Sequence, residues 1–113
     1  MTSEIGEVNY ESEWYDYSSK YNSNNKITIP ALIDPKIAEQ IKEIAIQSCR
    51  ALNIYGFARV DFFLEKSSNK IFLNEINTIP GFTKNSMFPI LWEASGFNIE
   101  QLVAKLVDIS LDL

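Results

Sequence analysis

Histidine is absent from the 113 residues, and cysteine occurs only once. Without histidine the chain can build no Ser-His-Asp triad, no Cys-His dyad and no histidine-bound zinc site. The lone cysteine, Cys49, excludes an internal disulfide framework and fits a reducing compartment. No apolar run approaches the roughly 18 residues of a membrane span. The N-terminus also lacks the basic-then-apolar pattern of a signal peptide, so the expected location is the cytoplasm. Basic residues are scarce, 10 against 15 acidic ones, giving a net charge of −5. That balance disfavours non-specific binding to nucleic acid or to an anionic membrane. A polyphosphate would have to be held by a few placed groups and metal ions. What remains is a length suited to one small domain or one lobe, sufficient for a core without disulfide staples.

There is no internal repeat. Glu4–Asn9 reads as a short strand with Ile5 and Val8 buried, and it starts so near Met1 that its strand neighbours are expected to be missing. The polar stretch Ser18–Asn25 reads as a mobile loop, and Lys26–Pro30 as a short β-branched run. Asp34-Pro35 is an N-cap followed by proline at the first helical position. Ile37, Ile41, Ile44, Ala45, Ser48 and Leu52 then follow at spacings of three and four, which predicts an amphipathic helix over about 35–52. Cys49 is expected to pack in or near that face. Phe57–Glu65 and Lys70–Asn77 read as the strands of a hairpin around the turn Lys66–Asn69. Pro80 and Gly81 end the second strand. A short helix over about 89–95 is stopped by Gly96. Asn98 with Gln101 forms a capping box for a last helix, whose apolar face is Ile99, Leu102, Val103, Leu106 and Val107. The pattern is α+β, a mostly antiparallel sheet with helices packed on one face.

The hairpin carries the chemistry. Strand side chains alternate faces with period two, so Arg59, Asp61 and Phe63 share one face of the first strand. Leu73, Glu75 and Asn77 share a face of the second, opposite Phe72, Asn74 and Ile76. A register that pairs Asp61 with Glu75 also pairs Arg59 with Asn77. Two carboxylates facing each other repel unless a cation sits between them. Carboxylate and amide oxygens are hard ligands that suit magnesium, which binds one or two carboxylates together with phosphate oxygens. An adjacent arginine suits the phosphates. Spacing alone leaves two readings open: a magnesium-nucleotide site, and a solvated sheet face with one Arg-Asp pair.

The sequence around these residues narrows the choice. NEINTIPGFT at Asn74–Thr83, preceded by ARVDFF at Ala58–Phe63, resembles the C-terminal part of the ATP-grasp domain of D-alanine–D-alanine ligases. WYDYSSKY at Trp14–Tyr21 is similar to that family's aromatic-acidic segment leading into a mobile omega-type loop, here over about 14–26. Ser86-Met87 before Pro89 resembles the element that comes after its glycine turn. The likeness runs from about Glu4 to the final helix.

That resemblance implies residue roles and a reaction. Asp61, Glu75 and Asn77 match ligands of two magnesium ions (or manganese), with Glu75 placed to bridge them. Arg59 matches the arginine on the transferring phosphate, and Gly81 a backbone N–H donor to the developing oxyanion. Ser86 and Met87 match positions that hold the carboxylate of the second D-alanine. Lys20 and Tyr21 match the loop pair that closes over the phosphates and the second substrate, and Trp14 a wall of the adenine pocket. ATP phosphorylates one D-alanine, and the amine of the second attacks the acyl phosphate to make a dipeptide for peptidoglycan. Residues 1–113 then form only the C-terminal lobe, without the N-terminal and central domains. The fragment alone is expected to be inactive and to self-associate. Alternatives are the lobe of a D-alanine–D-lactate or D-alanine–D-serine ligase, and a non-catalytic interaction module that keeps the fold. D-lactate enzymes of this kind tend to carry histidine in the loop, where this chain has Tyr21.

Overall fold

The computed structural model describes residues 1–9 and 26–112. Trp14, Lys20, Tyr21 and the loop expected over Ser18–Asn25 lie outside the described residues. Along the chain run β1 (Glu7–Asn9), β2 (Lys26–Thr28), α1 (Pro35–Ala51), β3 (Arg59–Glu65), β4 (Lys70–Asn77), α2 (Met87–Ala94) and α3 (Ile99–Leu111). The class is the α+β one expected. Among the described residues the strands form two separate antiparallel ladders, β1-β2 and β3-β4, instead of one sheet.

The helix ends obey the local chemistry of the sequence. Asp34 caps α1 by accepting the Lys36 N–H at 2.8 Å, with proline in the first turn. The helix stops in a Schellman turn, in which Ile54 N–H donates to Cys49 O and Asn53 N–H to Arg50 O. Asn53 takes the left-handed position at φ 53°, a role more often given to glycine. Helix α2 ends the same way at Gly96, φ 103°, with Phe97 N–H donating to Trp92 O at 2.9 Å. The Phe97 ring meets Trp92 edge-on with centroids 5.6 Å apart, the apolar contact that accompanies such a turn. Helix α3 opens with the expected capping box: Asn98 Oδ1 accepts the Gln101 N–H at 2.8 Å, and Gln101 Oε1 accepts the Asn98 N–H at 3.0 Å.

Burial is thinner than the amphipathic patterns imply. Ile41, Phe88 and Leu102 are the buried large hydrophobics among the described residues, together with Pro80. On α1, Ile37, Ile44, Ala45, Ser48 and Cys49 are half-buried, whereas Leu52 is exposed because it falls just beyond the helix. On α3, Ile99, Val103 and Val107 face solvent and only Leu102 is enclosed. In the N-terminal segment Ile5 and Val8 are half-buried, and the strand shortens to Glu7–Asn9. Ile5 O accepts the Ala31 N–H at 2.8 Å, so that edge is bonded rather than open. Glu4 N–H donates to Ser95 Oγ at 2.8 Å, and Ser95 Oγ donates to Leu91 O at 2.7 Å. Gly6 crosses α2 so closely that a Cβ there would lie 2.7 Å from Leu91 Cδ2 and 2.9 Å from Met87 Cε.

Candidate functional site

Strands β3 and β4 pair Arg59 with Asn77, Val60 with Ile76, and Asp61 with Glu75. Beyond Asp61 the register shifts, so that Phe62 meets Leu73, Phe63 meets Phe72, and Glu65 meets Lys70. Asn74 is the extra residue of a β-bulge. The bulge corrects the expected alternation. Leu73 joins Phe62 on the face away from Glu75, and Phe72 joins Phe63 on the face of the charged cluster. An unbroken period would have set Leu73 beside Glu75 and Asn74 among apolar side chains; one extra residue separates them. The apolar face holds Val60, Phe62, Leu64, Ile71 and Ile76, all half-buried, with Leu73 more open.

The predicted quartet is therefore brought together. Arg59 reaches its strand neighbour Asp61 through two parallel bonds, Nε to Oδ1 at 2.9 Å and Nη2 to Oδ2 at 3.0 Å. Its Nη2 also lies 3.7 Å from Glu75 Oε1. Side-chain exposure rises from 22% at Arg59 to 33% at Asp61 and 47% at Glu75, so Glu75 is the most accessible of the three groups. Asn77 Oδ1 accepts the Ile79 N–H at 3.0 Å, an Asx turn that bends the chain out of β4 toward Pro80.

Pro80 is buried, and an aromatic cluster fixes the turn beyond it. Phe88 of α2 packs against both Phe57 and Phe82, with ring centroids at 5.4 and 5.9 Å. Phe82 thus ties the turn to the helix that Ser86 and Met87 begin. Gly81 lies against Ser86: a Cβ at Gly81 would stand 2.9 Å from Ser86 Oγ. The Ser86 hydroxyl does not cap α2. It accepts the Thr83 N–H at 3.0 Å and lies 2.6 Å from Thr83 Oγ1. Met87 is half-buried, with its Cε toward Gly6. Thr83 is the residue that sequence reading overlooked; its signal was a second hydroxyl three positions before Ser86.

Asp61, Glu75 and Asn77 make a donor set of the kind magnesium takes. Two carboxylates face each other across the ladder with an amide oxygen on the same face, all hard oxygen donors. Each engaged oxygen keeps a second lone pair, so the bonds to Arg59 and Ile79 leave acceptor capacity. The set fits a hard divalent cation. Among the described residues no group of three or more Asp, Glu, His or Cys side chains clusters, so further oxygens would come from outside these side chains. No helix of the described residues is long and apolar enough to cross a membrane.

Comparison with known proteins gives a consistent result. Residues 1–108 match the family described as D-ala D-ala ligase C-terminus, and the chain belongs to that family. A D-alanine–D-alanine ligase of Prochlorococcus marinus strain MIT 9312 is 88% identical over all 113 residues, which span 32% of that relative. A ligase of the same name from strain NATL1A is 52% identical over 110 residues. The chain thus spans about a third of the length of the curated relatives it matches. Among solved structures, the VanG D-Ala:D-Ser ligase of Enterococcus faecalis is 36% identical, with a TM-score of 0.76 over 95% of this chain and 31% of its own. The D-alanine–D-alanine ligase of Coxiella burnetii is 41% identical, with a TM-score of 0.73 over 77% of this chain and 25% of its own.

Proposed function

We propose that these residues form the C-terminal catalytic lobe of an ATP-dependent D-alanine–D-alanine ligase of the ATP-grasp class, a cytoplasmic enzyme of peptidoglycan precursor synthesis. The observation that carries this reading is the joining of two groups. Arg59, Asp61, Glu75 and Asn77 share one face of the β3-β4 ladder, and the Gly81–Ser86 turn begins shortly beyond Asn77. An eroded interaction module would have no need to keep all four polar side chains there.

In this reading Asp61, Glu75 and Asn77 would hold magnesium, which would supply charge neutralisation for a transferring phosphoryl group. Arg59 already makes a bidentate carboxylate fork, and the same fork matches phosphate oxygens. It orients the phosphoryl group and balances charge as the carboxylate of the first D-alanine becomes an acyl phosphate. The Gly81 N–H and Arg59 then stabilise the oxyanion that forms when the amine of the second D-alanine attacks. Ser86, with the backbone at Met87, holds that D-alanine's carboxylate. Lys20 and Tyr21 close over the site to keep water from the acyl phosphate, and Trp14 walls the adenine. The 113 residues alone are inactive, because the nucleotide is clamped between this lobe and one outside it.

The test is dipeptide formation by the full-length protein supplied with ATP, magnesium and D-alanine. One D-alanyl-D-alanine is expected per phosphate released. D-serine and D-lactate offered as competing second substrates measure specificity. Preferred use of D-serine would move the assignment to the type named for the Enterococcus structure, and absence of any ligation would overturn it.

A further inference from the structure

Ser86 is an N-cap residue whose side chain does not cap. Its hydroxyl instead turns back over Gly81 into the loop. There the contacts are reciprocal: Thr83 N–H donates to Ser86 Oγ at 3.0 Å, and Ser86 N–H donates to Thr83 O at 3.0 Å. The two hydroxyls lie 2.6 Å apart, a short oxygen-oxygen hydrogen bond. A serine hydroxyl has one proton and two lone pairs. The Thr83 N–H occupies one lone pair. If the Thr83 hydroxyl donates, the second lone pair is occupied too, and the Ser86 proton is the only valence left to point outward. If Ser86 donates, its proton is spent on Thr83 and it offers a ligand only a lone pair. A carboxylate ligand accepts but cannot donate, so it selects the first arrangement.

We propose that Thr83 is a positioning residue for the second-substrate site: its hydroxyl donates to Ser86 Oγ and thereby sets Ser86 as a hydrogen-bond donor to the substrate carboxylate. This rests on the ligase reading above. Thr83 does not touch the reacting atoms. Its side chain is exposed, so the pairing does not arise from burial of a polar group. The Gly81 position, where a Cβ would intrude on Ser86 Oγ, leaves the space that this orientation of Ser86 needs.

The test uses the full-length ligase with Thr83→Val and Thr83→Ser. Valine keeps the shape and the backbone N–H and removes only the hydroxyl; serine restores it. Loss of one hydrogen bond that orients a donor to a charged group is expected to raise the KM for the second D-alanine about five- to thirtyfold in Thr83→Val. The KM for ATP should stay within about twofold, and Thr83→Ser should recover the second-site KM. Adding Thr83→Val to Ser86→Ala should cost nothing further, because both act through one hydroxyl. A merely structural Thr83 would instead lower the melting temperature and disturb the ATP and D-alanine constants together. A second-site KM unchanged in Thr83→Val, failure of Thr83→Ser to restore it, or full additivity with Ser86→Ala each overturns the proposal. A wild type that forms no dipeptide removes the ligase reading and this proposal with it, whereas an active wild type with an indifferent Thr83→Val removes this proposal alone.

Discussion

Arg59 binds Asp61 through two bonds of 2.9 and 3.0 Å, while its nearest approach to Glu75 in the same cluster is 3.7 Å. The arginine is anchored by one carboxylate and leaves the other comparatively open. Lysine has the same charge but no planar fork. Arg59→Lys in the full-length enzyme is therefore expected to lower kcat for dipeptide formation by about a hundredfold or more, the scale of losing one oriented donor to a developing anion. Thermal stability should hardly move, because a partly exposed ion pair contributes only about 1 kcal/mol. Steady-state kinetics beside a thermal melt check both halves, and a wild-type kcat would remove Arg59 from the mechanism.

Glu75 is the more exposed carboxylate and the one with the weaker internal partner. Glu75→Gln keeps the size and one acceptor oxygen and removes the charge that would hold the metal. Turnover at saturating magnesium should fall by several kcal/mol of transition-state stabilisation, on the order of a thousandfold. Manganese affinity of the ATP complex, read by electron paramagnetic resonance, should fall with it. Near-normal turnover together with unaltered manganese binding would mean that Glu75 is no ligand.

Much of this arrangement is legible in the sequence because it is local. Asp34-Pro35, Gly96 and Asn98 with Gln101 mark helix ends through chemistry that reaches only a few residues, and each acts as expected. The sharing of one face by Arg59 and Asp61, and by Glu75 and Asn77, comes from strand alternation. A four-residue turn closing Glu65 on Lys70 would by itself set Asp61 against Asn74; the bulge supplies the one-residue shift that pairs Asp61 with Glu75 and Arg59 with Asn77. The bulge at Asn74 was hidden, because a strict period of two has no place for an extra residue; the clue was Leu73 falling on a charged face. The division into two ladders and the exposure of half of α3 depend on how segments meet in space. No periodicity encodes them. The roles proposed for Gly81, Ser86 and Met87 come from the family resemblance; spacing alone would have left them as turn residues.

Gly81 is required for room, not for an unusual backbone angle. An added Cβ would sit 2.9 Å from Ser86 Oγ but 3.5 Å from Ser86 Cβ, so the clash is with the hydroxyl alone. Gly81→Ala should cost roughly 1 kcal/mol of stability as a local overpacking and should impair second-substrate binding by pushing the hydroxyl away. Combining it with Ser86→Ala should recover the stability but not the binding. Chemical denaturation of the two variants decides, and a double variant no more stable than Gly81→Ala alone would refute the contact.

Phe88 links the core to the site. It is 4% exposed and packs against the rings of both Phe57 and Phe82. Phe88→Ala removes a buried aromatic and should cost about 3–5 kcal/mol. Because Phe82 lies between Gly81 and Thr83, the loss should also loosen the turn. Phe88→Leu fills most of the space and should cost less while leaving Phe82 poorly seated. The check is denaturant unfolding with hydrogen exchange at Thr83 and Ser86, where exchange faster than global unfolding explains is expected in Phe88→Leu.

The outer face of α3 is open and apolar. Val103, Val107 and Leu111 are exposed at 45%, 52% and 78%. With Phe57, Phe82 and Leu106 they line one open apolar hollow. Contiguous apolar surface of this kind is uncommon on a monomer, and burying it gains about 25 cal/mol per Å² before the cost of association. We expect the isolated 113-residue chain to self-associate through this face. Its net charge of −5 opposes that association only through screened repulsion, so added salt should strengthen it. Sedimentation of the chain over a hundredfold range of concentration should show a rising mean mass, more steeply at high salt. Val103→Glu with Val107→Glu should return it to monomer without changing α3, since both positions already face solvent and glutamate is a good helix former. A chain that stays monomeric throughout, or association that survives both glutamates, would place any contact elsewhere on the surface.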